Sequence, residues 1–94
     1  MPYIKQDFRD EIEDTTNFIR LVTYFVTVKN DQDACGMLNY IIYTLVRTRM
    51  IVKGKGYFFF AWVVGTLICA ILEIYRRLVA PYEEEKIKEN GDIL

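Results

Sequence analysis

The chain has 94 residues, 52% of them hydrophobic and 15% aromatic, with a formal charge of −1. That apolar content excludes a disordered polypeptide, the near-zero charge excludes an overall basic field for duplex nucleic acid, and the length fits one domain (1–94) whose small core leaves an isolated copy marginal. There is no histidine, which removes the commonest general base and the commonest zinc ligand, and Cys35 and Cys69 form no CxxC pair and read as reduced packing residues.

Asp7 is read as the N-cap of a first helix, with Asp10, Glu11, Glu13 and Asp14 favouring the positive end of its dipole. Phe8, Ile12, Thr15, Ile19, Val22 and Val26 recur every three or four residues. The spacing predicts one helix over about 7–29, ended by Lys29-Asn30-Asp31 because Asn tolerates left-handed backbone. Asp31 or Asp33 is expected to cap a second helix over about 33–51, with Leu38, Ile41, Ile42, Leu45, Val46 and Met50 as its apolar stripe. Lys53-Gly54-Lys55-Gly56 reads as a loop.

A third helix is expected over 57–80. Its first part, 57–72, is uncharged and apolar on all sides, and it runs straight into Glu73-Ile74-Tyr75-Arg76-Arg77. About 24 uninterrupted residues is far too long for a strand, so the β-branched and aromatic content near its start does not overturn the helix reading. Pro81 either kinks it or opens a short helix over 82–89, and Asn90-Gly91-Asp92 is a turn. The fold class is all-α: three main helices and a short C-terminal helical tail.

A helix that is apolar all round must be covered by protein or lipid. Sixteen uncharged residues rise about 24 Å, short of the roughly 30 Å hydrocarbon core of a bilayer. A homo-oligomer assembled through helix 57–80 is therefore expected over a membrane span at 57–72. The start of the chain lacks the pattern of a secretory signal, so a cytoplasmic location is expected.

Glu73 stands three and four residues before Arg76 and Arg77, the spacings at which a helical carboxylate meets a guanidinium. A solvated ion pair accounts for this by itself. The functional reading places Tyr75, Arg76, Arg77, Tyr82, Lys86 and Asn90 around a compact anion, with Glu73 and Glu83 orienting them, since arginines supply bidentate donors and tyrosines stacking surfaces. No catalytic residue, metal ligand or cofactor is assigned. The run Glu83-Glu84-Glu85 with Glu89 and Asp92 would suit magnesium only if it converged, and contiguous helical glutamates point in different directions.

The wording of the chain adds to this: Met1-Pro2-Tyr3-Ile4-Lys5, Leu38-Asn39-Tyr40, Glu73-Ile74-Tyr75-Arg76-Arg77, Ala80-Pro81-Tyr82-Glu83, and Lys86-Ile87 with Asn90-Gly91-Asp92. It resembles a small uncharacterised family of helical proteins of prokaryotic and phage genomes that opens on M-P-Y-I-K and closes on E-x-Y-R-R-x-V-A-P-Y-E-x-x-K-I-x-x-N-G-D. Where such relatives are expected to carry a mixed polar stretch, this chain has the far more apolar Tyr57-Phe58-Phe59-Phe60-Ala61-Trp62-Val63-Val64, which fits a larger subunit interface or a lipid contact. The resemblance implies no settled activity. The expectation is a non-catalytic module binding a nucleotide-like anion, in a phage setting a trap for a host's cyclic-nucleotide immune signal within the host cytoplasm. The alternatives are a protein-binding inhibitor, a magnesium-dependent nucleotide hydrolase and a small membrane protein.

Overall fold

The computed structural model of the chain describes residues 4–93, and every regular element among them is helical. Met1-Pro2-Tyr3 of the opening motif lies outside the described residues. The chain falls into two compact units, one up to Lys55 and one from Gly56.

The first unit holds α1 (Gln6–Thr15), α2 (Phe18–Thr27) and α3 (Asp31–Lys53). The apolar spacing that predicts one helix over 7–29 runs through a break. Thr16 is extended (φ −116°, ψ 169°), and the reason is local: the Thr15 hydroxyl donates to the Glu11 carbonyl at 2.6 Å and the Thr16 hydroxyl donates to the Ile12 carbonyl. Side chains that bond back to the preceding turn compete with the helix's own ladder, and β-branched residues favour helix weakly to begin with. α1 and α2 meet at this break. Lys5, not Asp7, occupies the cap position of α1, and Asp7 sits in the first turn, where its charge suits the dipole.

α3 begins differently from the expectation as well. Asn30 is extended (φ −91°, ψ 121°), and its side-chain oxygen accepts from the backbone N–H of Gln32 at 2.8 Å and of Asp33 at 3.4 Å. Asn30 thus starts α3 instead of ending the helix before it, and Asp31 and Asp33 lie in the first turn. α3 stops at Gly54, whose φ of 97° is a left-handed value that favours glycine; its N–H closes on the Met50 carbonyl at 2.9 Å.

The second unit is one continuous helix, Tyr57–Asn90, of 34 residues. It consists of α4 (Tyr57–Ile74), a π-helical turn (Tyr75–Val79) and α5 (Ala80–Asn90). Pro81 neither breaks nor ends it. In an uninterrupted α-helix Pro81 would have no N–H for the Arg77 carbonyl and its ring would strike that group. The wide turn relieves this: the Ala80 N–H reaches five residues back to the Tyr75 carbonyl, and Pro81 falls in the first turn of α5. Gly91, with φ of 82° and its N–H on the Ile87 carbonyl at 2.8 Å, ends the helix.

Among the described residues only Phe59 and Val63 are buried. The Phe59 ring meets Phe60 and Trp62 edge-on, with centroids 5.5 and 5.2 Å apart. Helix Tyr57–Asn90 is long and apolar enough, by length and composition, to cross a membrane, yet only 11% of its most apolar window is buried. Phe58, Phe60, Trp62, Val64, Ile68, Ile71 and Leu72 are exposed, and at about 100° per residue they spread over roughly half the circumference. α2 likewise exposes Phe18, Ile19, Leu21, Val22, Tyr24 and Val26.

Candidate functional site

The polar chemistry of the second unit begins where the apolar run ends. Glu73 Oε1 accepts from Arg76 Nη2 and from Arg77 Nε, the latter at 2.8 Å. One oxygen therefore holds two guanidiniums, as the three- and four-residue spacings dictate. The Arg77 hydrogen bond is the chief reason the Glu73 carboxyl titrates below its ordinary value; partial burial opposes it, and Arg76 reinforces it by hydrogen bond and charge. The Glu73 side chain is 20% exposed, against 65% for Arg76 and 61% for Arg77. The clamp fixes both arginines and leaves most of their N–H donors facing solvent.

The wide turn decides what lies beside them. Residues eight apart on an α-helix are roughly 80° out of line, but one extra residue taken up in the π-helical turn brings Tyr75 and Glu83 onto the same flank two turns apart. The Glu83 carboxylate near Tyr75, by its pull on the phenol proton and then by its charge, raises the phenol above its usual 10.0.

Glu83 is also a wall of a groove of about 360 Å³, lined by Tyr82, Glu83, Lys86, Ile87, Asn90, Gly91, Asp92 and Ile93. The Lys86 ammonium bonds Glu89 Oε2 at 3.1 Å and lies 5.5 Å from the centroid of the Tyr82 ring. Asp92 Oδ1 accepts from the Ile93 N–H at 2.6 Å. Of the six residues expected around one ligand, Tyr82, Lys86 and Asn90 are brought together here. Tyr75 touches this flank through Glu83. Arg76 and Arg77 do not line the groove. They follow Tyr75 by one and two residues, so Arg77 lies roughly 160–200° around the axis from the Tyr75 and Glu83 line.

The groove is not an anion pocket by its own charge. Its walls offer the carboxylates of Glu83 and Asp92 against one ammonium, and that ammonium is already engaged by Glu89. Ile87, Gly91, Asp92 and Ile93 were not among the expected site residues. The one sequence signal for them was Asn90-Gly91-Asp92, read only as a turn, although the turn is what folds Asp92 and Ile93 back into the wall. Among the described residues no three His, Cys, Asp or Glu side chains converge to hold a metal ion, Glu83, Glu84, Glu85, Glu89 and Asp92 included.

No curated protein and no solved structure matches the chain. A family model described as Domain of unknown function (DUF6899) matches residues 1–93. That span takes in all the helices, the clamped arginines and the groove, and the chain belongs to the DUF6899 family.

Proposed function

We propose that this protein is a non-catalytic helical binding module that works as a homo-oligomer, in which sister copies cover the apolar arc of helix Tyr57–Asn90 and the charged segment beyond it serves recognition. The observation behind this reading is the nearly uncovered apolar helix: 11% of its most apolar window is buried, whereas a core helix of a self-sufficient domain is largely enclosed. The helix is long enough to cross a bilayer, but its wholly uncharged part, 57–72, is shorter than the usual span and leads directly into Glu73 with its two arginines, which favours sister copies over lipid as its cover. Sedimentation velocity in detergent-free buffer tests it. The protein should run as a defined oligomer; a lone protomer, or material soluble only with detergent, removes the proposal.

A second reading concerns what is recognised. Two exposed guanidiniums fixed on one carboxylate are suited to a compact phosphate ester such as a nucleotide, including the cyclic-nucleotide signal a phage protein would sequester. Calorimetric titration with mono-, di- and cyclic nucleotides, repeated on Arg77→Ala, tests this reading separately. Absence of heat with the parent protein ends it and leaves the self-assembly reading standing.

A further inference from the structure

We propose that the Arg76 and Arg77 pair of one copy seats in the Tyr82 to Ile93 groove of the next copy, so that the oligomer is built head to tail through its charged segment as well as through its apolar arc. This rests on the self-assembly reading above and replaces the nucleotide reading, because the same two guanidiniums cannot serve both. The two surfaces are complementary in charge. The patch around Glu73 presents two guanidiniums against one carboxylate, and the groove presents Glu83 and Asp92 against one ammonium. Among the described residues each keeps an excess of one sign: the arginines share a single Glu73 oxygen, and Lys86 is drawn to Glu89. Guanidiniums are also the cations best suited to such a place, being weakly hydrated, planar and able to lie on the Tyr82 ring while their edges meet carboxylates.

The geometry also fixes the type of contact. A two-fold pair must present both halves of a contact on one face of each copy. Here the winding sets Arg77 roughly 160–200° and Arg76 roughly 80–100° from the line of Tyr75 and Glu83, so neither arginine shares the face of the groove's Glu83 wall. One copy therefore gives its arginines to a neighbour on one side and receives arginines from a neighbour on the other. Such heterologous contacts generate rings when the rotation closes and open chains when it does not. The assembly should contain more than two copies.

Charge reversal and mixing test this on the full chain. Arg76→Glu with Arg77→Glu, and separately Glu83→Arg with Asp92→Arg, should each weaken association about tenfold or more in a sedimentation dilution series. Mixing the two variants should restore assembly, since every contact in an alternating array is again between opposite charges. The neutral pair Arg76→Gln with Arg77→Gln, checked for helicity by circular dichroism, guards against a folding defect caused by three clustered carboxylates. Assembly that persists unchanged through both reversals, or that gains nothing on mixing, overturns the head-to-tail contact while the self-assembly reading survives. A wild-type dimer also overturns it. A monomeric wild type overturns both. Binding of inorganic pyrophosphate to the arginines in the intact oligomer, with no loss of assembly, would show that they face solvent and likewise overturn it.

Discussion

Replacing Ile68, Ile71 and Leu72 together by alanine isolates the role of the apolar arc. These side chains are 51%, 64% and 61% exposed on a single copy. They lie within roughly 100° of one another around the helix axis. Fully burying such a side chain is worth about 1.5–3 kcal/mol, so covering the remaining half to two-thirds of each is worth about 1–2 kcal/mol, and truncation to alanine forfeits most of that. Three sites acting together should cost association about 3–5 kcal/mol, or about 100- to 4,000-fold in the dissociation constant. Alanine is the best helix former, so the helix itself should persist, and far-ultraviolet circular dichroism will show it. The assay is a sedimentation dilution series of wild type and triple variant in detergent-free buffer. Unchanged association would mean that sister copies do not meet on this face and would refute the reasoning from exposure. A gain in solubility with no change in assembly would have the same meaning.

Other outcomes follow from single groups. Asn30→Ala removes the one good cap bond of α3, the 2.8 Å contact from Gln32, and should cost about 1 kcal/mol, read as a melting-temperature drop of about 4–8 °C; no drop would mean that α3 is held by packing alone. Gly91→Ala puts a Cβ on a residue with φ of 82° and should fray the end of α5, seen as faster amide exchange at 88–90, whereas unchanged exchange would show that the helix end tolerates a side chain there. Because the Glu73 carboxyl is depressed below its ordinary 4.5, its contribution is fully present above that value and is lost as pH falls through the folded-state value. The stability gap between wild type and Glu73→Gln should therefore be flat at neutral pH and shrink in acid; a gap constant into strong acid refutes the clamp. Tyr75 is raised instead, so the stability its neutral form gains beside Glu83 is present below pH 10 and is lost as pH rises through the folded-state value. Wild type should lose an alkaline increment of stability that Tyr75→Phe lacks, and identical alkaline limbs would show that Glu83 does not act on Tyr75.

Parts of this architecture could be read in the residues alone. Half-buried Ile41, Ile42, Val46 and Met50 of the expected α3 stripe, the glycine stop at 54 and the unbroken apolar stretch from Tyr57 are written in periodicity and glycine chemistry, whereas Leu38 and Leu45 of that stripe are exposed. The break at Thr16 was hidden because hydrophobic spacing records which face is buried, not which hydroxyl bonds back to a carbonyl. Asn30 misled for a related reason: the same side chain suits a helix stop and a helix start, and only the backbone angles decide. Nearness in sequence suggested one pocket for Tyr75, Arg76, Arg77, Tyr82, Lys86 and Asn90. An extra residue in the turn before Pro81 shifted the phase of everything after it, which no α-helical wheel anticipates.

The π-helical turn also implies a tolerance map for insertions and deletions. Removing one residue within Tyr75–Val79 would take away only the residue that the wide turn absorbs and leave Tyr75 and Glu83 on one flank, whereas removing one from the regular winding on either side would swing the whole distal segment by about 100°, with every other side chain chemically unaltered. Composition would be almost the same, and the molecule would be a key with its bit turned a quarter round on the shaft.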